Sequence, residues 1–438
     1  MKIFIDCSHV DFSRQPTGIP RVVLQYIQNG YEWSRTSGVE TIPVVTTPSG
    51  LLPVRPTPGR NLPEYMKVFD RSPDDLVGEV SKSLDKSCFY LQSALLAAGV
   101  DVSNQQCMSS VSQAYRSLAN DSDIQPLEIS SGDLLFCPAY WHDVPPDLFW
   151  NLQRQGCRIV TLVHDVLPIT FKKFYQSPWK EQFEKYLKAH ILKADAIYAV
   201  SNYTANSIKE IAERNGVLET SIGVAHNGYA PLVGTELAEK IRNANFEPIL
   251  RRGAAYQLLR ERQPYLMVGS VEPKKGHIPT IRSFEALWDA GFERPLVVIG
   301  RKGWLEESVV FAIEQSRYFD EKLFWFQDFD DVDLFYAYQN SRALVFSSYA
   351  EGFGIPMVEA MLSGRPVVAY DTPVNREVLG DHGLFFDCFV DFAKHLMGLE
   401  EETSYEKIIE KVGRYSWSEW SEVVPKLLDE LVDRFNGK

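Results

Sequence analysis

Glu351 and Glu359 stand with seven residues between them, and that interval holds Gly352, Phe353, Gly354, Ile355 and Pro356. Carboxylates accept hydrogen bonds, so two of them at a fixed spacing can hold the two ends of one polar ligand. An apolar β-type run, 343–346, precedes the stretch. An apolar helical run, 357–362, follows it and ends at Gly364-Arg365-Pro366. A strand therefore feeds a glycine loop, and the loop feeds a helix. Pro356 suits a first helical position, where its missing N–H loses no bond. Gly352 and Gly354 let the backbone turn sharply and approach a ligand closely. The free N–H groups and positive dipole end of the helix bind an anion such as a phosphate. Eight positions are not one helical face, so Glu351 belongs to the loop and Glu359 to the helix. Taken singly, the pair also reads as a solvated loop residue and a carboxylate that suits a helix start.

Five other corners place charge or histidine after a strand. Tyr265 to Gly269 reads as a strand, followed by Ser270, Lys274, Lys275, Gly276 and a helix from about 279. Arg158 to Val163 reads as another and ends in His164-Asp165; ligands of open α/β sheets bind at such carboxyl ends. Lys2 to Asp6 opens the chain as a buried strand, and Pro16-Thr17-Gly18-Ile19-Pro20-Arg21 leads into a helical run, 22–27. Arg21 reads equally as an aid to an anion and as a solvated helix-start residue. Arg301 follows a further strand, 295–299, and the acidic loop 327–331 follows the strand 323–326.

Together these pieces resemble the retaining GT-B glycosyltransferases of family four, whose mark is a pair of glutamates seven residues apart. The resemblance covers 265–420 strongly and 1–30 and 134–230 moderately. It implies an α/β architecture of two Rossmann-like, doubly wound domains facing each other across a cleft, with a C-terminal helix crossing back onto the first domain. It implies a nucleotide-diphosphate sugar as donor, GDP-mannose in preference to a UDP-sugar, and no cofactor or metal. Glu359 would hold the ribose hydroxyls and Glu351 a hydroxyl of the transferred sugar. The 352–355 backbone, with Gly352, Phe353, Gly354 and Ile355, would line the donor. Lys275 would neutralise the diphosphate, a backbone N–H at Gly18 would face it, and His164 would border the reacting carbon. The family places an arginine where this chain has Ser270. Lys274 then supplies the missing charge, or fewer cations serve, with Arg301 next in line. The acidic loop 327–331 would lie near the nucleotide base.

The elements that must position these residues follow from the rest of the chain. With 438 residues it is too long for one core and suits two domains. The resemblance divides it into a first domain over 1–250, a second over 260–415 and a returning tail over 416–438. A proline-rich and then weakly patterned block, about 50–130, reads as an irregular insertion, packed on the first domain or acting as an acceptor-facing or membrane-facing lid. Its prolines exclude a continuous helix or a central strand. Ser201 caps a helix after the strand 196–200, and Asn227-Gly228 is a turn signal. The net charge of −13 argues against nucleic acid as a partner. Six cysteines without C-x-x-C spacing fit a reducing compartment without structural zinc. No run of about 18 apolar residues exists to span a bilayer. The expectation is a cytoplasmic enzyme acting on a glycan or lipid-linked acceptor, as in bacterial surface-polysaccharide synthesis. Phe171 to Tyr175 and Trp179-Lys180 mix aromatics with cations, which suits peripheral membrane contact, a glycan surface or an ordinary exposed loop. The rival readings are a noncatalytic sugar-nucleotide-binding protein and a GT-B epimerase or phosphorylase.

Overall fold

The computed structural model describes residues 1–8, 18–47, 50–53, 126–139, 146–175, 177–189, 193–217, 221–243 and 253–436. The first unit runs through β1 (Lys2–Asp6), α1 (Ile19–Ser37), β2 (Glu40–Thr47), β3 (Gly50–Pro53), β4 (Leu134–Cys137), α2 (Pro146–Arg154) and β5 (Arg158–Val163). It continues with α3 (Leu167–Thr170), α4 (Ser177–Ala189), β6 (Ala196–Ala199), α5 (Asn202–Arg214), β7 (Ile222–Val224) and α6 (Thr235–Arg242). Its seven strands lie in the order β3-β2-β1-β4-β5-β6-β7. Neighbours are parallel except for β3, which runs antiparallel at the edge. That edge is where Pro53 belongs, since proline cannot donate to a ladder.

The second unit comprises α7 (Gly253–Arg262), β8 (Tyr265–Val268), α8 (His277–Asp289), β9 (Leu296–Ile299), α9 (Glu307–Glu314), β10 (Leu323–Phe326) and α10 (Asp331–Gln339). Then come β11 (Ala343–Phe346), α11 (Ile355–Leu362), β12 (Val367–Tyr370), α12 (Pro373–Leu379), β13 (Leu384–Phe386), α13 (Phe389–Glu400) and α14 (Glu402–Val412). Six strands form one sheet, β10-β9-β8-β11-β12-β13. Strands β4, β6, β9 and β11 are buried along their whole length. That explains why each reads as an unbroken apolar run rather than an alternation. In both sheets the order turns back beside the first strand of the unit, at β1/β4 and at β8/β11. The crevice outside the carboxyl ends at such a reversal is where doubly wound sheets bind ligands.

The last helix, α15 (Trp420–Phe435), returns to the first unit. Trp33 Nε1 of α1 donates to Asp429 at 2.9 Å, and the Tyr198 hydroxyl donates to Glu430 at 2.6 Å. Trp420 packs edge-on against Tyr26, centroids 5.6 Å apart. Trp417 lies ahead of this helix. The fold is thus the two-domain GT-B arrangement with its returning tail.

Local boundaries differ by a few residues where caps decide them. Helix α8 begins at His277 rather than near 279, because Gly276 at φ 73° forms its left-handed N-cap. Asn227-Gly228 makes no reversal. Here Tyr229 bridges in parallel to Glu419. A Cβ on Gly228 would lie 2.7 Å from the Trp420 nitrogen, so the glycine serves close packing of two chain segments. Most of the block 50–130 lies outside the described residues, as do the 9–17 part of the first glycine loop and the side chain of Trp179.

Candidate active site

The glutamate stretch folds as its sequence requires. Gly354 sits at φ 98° as N-cap of α11, a conformation that glycine adopts without strain. Pro356 occupies the first turn. Gly352 has another purpose: a Cβ there would collide with the His164 carbonyl of the first domain. The Gly352 carbonyl accepts a 2.7 Å bond from the Ser201 hydroxyl. The close approach expected toward a ligand is, at Gly352, an approach between the two domains.

Glu351 is 9% exposed and accepts a 2.5 Å bond from Lys275 Nζ. Burial disfavours its charge, but Lys275, Lys274 and a hydrogen bond from Ser348 prevail and hold the carboxyl below its usual range. Lys275 follows β8 in a short 3₁₀ turn, 273–275, and Gly276 beneath it at φ 73° leaves no room for a side chain against Ser347. Lys274 is less available than its sequence position suggests. It lies 3.5 Å from a Glu272 carboxylate oxygen and 3.5 Å from the Tyr175 hydroxyl of the first domain. Burial pulls its pKa down, yet Glu351, Tyr175, Asp165 and Glu272 raise it above the usual value, so it stays charged. The Ser270 hydroxyl donates to Glu272 at 2.5 Å. Arg301 is exposed, and its carbonyl accepts from the Val271 N–H at 2.8 Å beside that serine.

Glu359 is more enclosed, 4% exposed. Arg21 Nη1 of α1 donates to one of its oxygens at 3.2 Å, and the Tyr338 hydroxyl of α10 donates to the other at 3.3 Å. Burial raises its pKa; Arg21 and the Tyr338 bond offset that only partly, and Asp331 adds to it. Asp331, from the acidic loop after β10, lies 3.7 Å from the same guanidinium nitrogen. Asp330 beside it is engaged in a capping box with Asp333 at the start of α10. Gly18, at φ 63°, is the N-cap of α1 and accepts the Arg21 N–H at 3.1 Å.

His164 bonds through Nε2 to the Pro138 carbonyl at 2.7 Å. A carbonyl only accepts, so Nε2 carries the proton and Nδ1 keeps its lone pair. Burial lowers the pKa of this histidine, which is therefore neutral near pH 7. Phe353, expected along the donor, is 4% exposed and packs edge-on against Trp417 at 5.5 Å. Its ring anchors the loop, and only its backbone remains to meet a ligand.

Lys275 with Glu351, and Arg21 with Glu359, thus form two neutralised pairs on one strand–loop–helix corner, facing the first domain. Sequence reasoning missed three contacts that fix this corner. Ser201 was read only as a helix cap. Tyr338 lies in an apolar helix without a polar partner nearby in sequence. Glu377 of α12 accepts from the Asn202 and Tyr203 N–H groups at 2.6 and 3.1 Å and from His226 Nε2 at 2.8 Å. It thereby caps α5 from the opposite domain, a role without any local signal. Within Phe171–Tyr175, Phe174 stacks on Tyr349 of the second domain, centroids 6.4 Å apart, while Lys172 and Lys173 stay exposed. Among the described residues, Asp387, Cys388 and Asp391 group closely enough to hold a metal; they are apart in sequence from every residue of the corner. No helix among those residues is long and apolar enough to cross a membrane.

Residues 256–414 match the family described as Glycosyl transferases group 1. The match lies within the second domain. The chain is 28% identical over 318 residues to the serotype-specific mannosyltransferase WbdA of Escherichia coli, over 69% of this chain and 38% of the relative. It is 27% identical over 272 residues to O-antigen chain mannosyltransferase B of Escherichia coli, over 59% of this chain and 67% of the relative. The chain therefore spans well under half the length of WbdA. Among solved structures, sucrose-phosphate synthase from Thermosynechococcus elongatus superimposes with a TM-score of 0.60 at 15% identity, over the whole of both chains. Anabaena HepE in complex with UDP-glucose does so with a TM-score of 0.59 at 14% identity, over 99% of this chain and all of that one. These likenesses extend the GT-B fold over the first domain as well.

Proposed function

We propose that the protein is a retaining glycosyltransferase that moves mannose from GDP-mannose to a glycan or lipid-linked acceptor in surface-polysaccharide synthesis. The observation that carries this reading is the Lys275–Glu351 pair at a glycine corner between two Rossmann-like domains, with Glu359 on the helix that follows. Similarity to a serotype-specific mannosyltransferase and to an O-antigen chain mannosyltransferase supports the sugar and the acceptor class.

The chemistry runs as an exchange of partners. A donor diphosphate enters at the N-terminus of α11 and draws Lys275 from Glu351. Lysine and helix N–H groups neutralise the charge that develops on the leaving group, and one such preorganised donor is worth roughly 10²–10³ in rate. Glu351, released, accepts a hydroxyl of the sugar. His164, neutral and fixed in one tautomer, borders the oxocarbenium-like centre without repelling its positive charge. The acceptor attacks from the face the phosphate leaves, and a departing phosphate oxygen takes its proton. Glu359 accepts the ribose hydroxyls. The acceptor is brought to the first domain, at the cytoplasmic face of the membrane.

Purified protein incubated with labelled GDP-mannose and a lipid-linked glycan should yield a mannosylated product whose anomeric proton coupling shows retention. UDP-glucose in its place should give none. An inverted product overturns the retaining mechanism. Transfer from the UDP-sugar alone overturns the donor. Turnover of donor without acceptor points to an epimerase. A melting-shift screen gives an independent reading of the nucleotide. A ligand of the folded state adds about 2.7 kcal/mol at a hundred times its Kd.

A further inference from the structure

Arg21 holds a position that neither the sequence nor the proposed reaction explains. It begins α1 in the first domain, yet its guanidinium lies on Glu359 of the second, 3.2 Å away. Tyr338 holds the other oxygen of that carboxylate. A ribose diol seated on Glu359 competes with Arg21 for those oxygens. Arg21 lines the same interdomain cavity as Phe353, Ile355 and Glu359, beside the first turn of α11 where backbone N–H groups are free of helix partners. Meanwhile the corner after β8 lacks a cation at Ser270, whose hydroxyl is held by Glu272. Lys274 at that corner is held between Glu272 and Tyr175.

We propose that Arg21 is the second cation of the donor diphosphate, kept on Glu359 in the empty cleft and transferred to the phosphates when a ribose takes the carboxylate. The inference rests on the reading of this cleft as a sugar-nucleotide site. Charge is conserved throughout. Glu359 exchanges a guanidinium for two hydroxyl donors, and the planar fork of Arg21 exchanges one carboxylate for a phosphate it fits as well. Because Arg21 comes from the first domain and Glu359 from the second, the exchange also ties nucleotide binding to the spacing of the domains. The arrangement has a signature of opposite signs. Arg21 competes with a bare nucleoside and assists a nucleoside diphosphate.

The test is calorimetry with guanosine, GDP, uridine and UDP on the intact protein, on Arg21→Met and on Arg21→Lys, with circular dichroism to verify the fold. Arg21→Met should bind the nucleoside at least as tightly as the unaltered protein and the matching diphosphate at least tenfold more weakly. Arg21→Lys, which keeps a charge on Glu359 and so protects the fold, should shift the same ratio in the same direction by less; if Arg21→Met does not fold, that ratio decides. Equal changes for nucleoside and diphosphate, or a diphosphate affinity unchanged within twofold, overturn the proposal and leave Arg21 a structural strut. Failure of the unaltered protein to bind either diphosphate overturns the sugar-nucleotide reading itself, and the proposal with it.

Discussion

Replacement of Lys275 by methionine separates the chemistry of the corner from its stability. Lys275 and Glu351 touch at 2.5 Å, and the glutamate is almost fully buried. Removing one partner of such a pair leaves an uncompensated charge. The charge has two reliefs. Lys274 remains nearby, and Glu351 can take up a proton. An ordinary glutamate titrates near 4.3, so holding it neutral at pH 7 costs about 3.7 kcal/mol, at 1.36 kcal/mol per unit. That is the ceiling on the charge's cost to folding, and Lys274 with the Ser348 bond lowers it further. The sign of the pH dependence reverses as well. In the intact protein the Glu351 pKa is depressed, so its contribution is present above the unfolded value and lost as pH falls through the folded one. In Lys275→Met the pKa rises instead, and the variant gains stability relative to the parent as pH falls from 7 toward 5. The double variant Lys275→Met, Glu351→Gln removes the stranded charge and should recover most of the lost stability at pH 7. It should not recover turnover, since the leaving group still lacks its cation, at a loss of two to three decades, or about 2.7–4 kcal/mol, to which the loss of the Glu351 carboxylate adds at least a further tenfold. Chemical denaturation at pH 5 and 7 and steady-state assays on the three proteins read both quantities. A double variant with near-parental kcat/KM would show that Lys275 serves only to neutralise Glu351, and the leaving-group role would fall.

Glu359→Gln should weaken binding of the bare nucleoside diphosphate, measured by calorimetry. Glu351→Gln should leave that affinity within about threefold, below roughly 0.7 kcal/mol, and lower kcat/KM for the sugar donor at least tenfold; swapped phenotypes would reverse the two assignments. Turnover in excess EDTA should equal that of untreated enzyme, because Lys275 stands where a diphosphate needs a cation; loss that Mg²⁺ or Mn²⁺ restores refutes this. Glu377→Gln keeps a weaker cap on α5 but loses the charge that faces His226 and two backbone N–H groups. It should cost about 1–2 kcal/mol of stability and speed proteolysis between the domains at pH 7; an unchanged melt and cleavage pattern would make the contact incidental.

How much of this was legible in the sequence depended on the range of the interaction. The strands announced themselves because central parallel strands are buried on both faces and read as unbroken apolar runs, 343–346 among them. The corner 347–362 was legible because its geometry is local. Gly354 must take a positive φ, Pro356 must sit in a first helical turn, and both demands are met within three residues. The neighbours of the glutamates were not legible, because they come from the facing domain or from a distant helix. Arg21 meets Glu359 across 338 positions, and Glu377 meets Asn202 across 175. No periodicity carries such pairs; they arise when two sheets, each turning back at its own first strand, face each other. Gly352 shows how a residue singled out for one reason can serve another. Its small size was read as room for a ligand, yet the space is filled by the His164 carbonyl, with the Ser201 hydroxyl bonded to its own carbonyl. The loop that carries Glu351 is therefore set in place by the first domain. Parting the domains breaks the bond from Ser201 to the Gly352 carbonyl, one residue from Glu351, so the interdomain contact and the candidate site share one short loop.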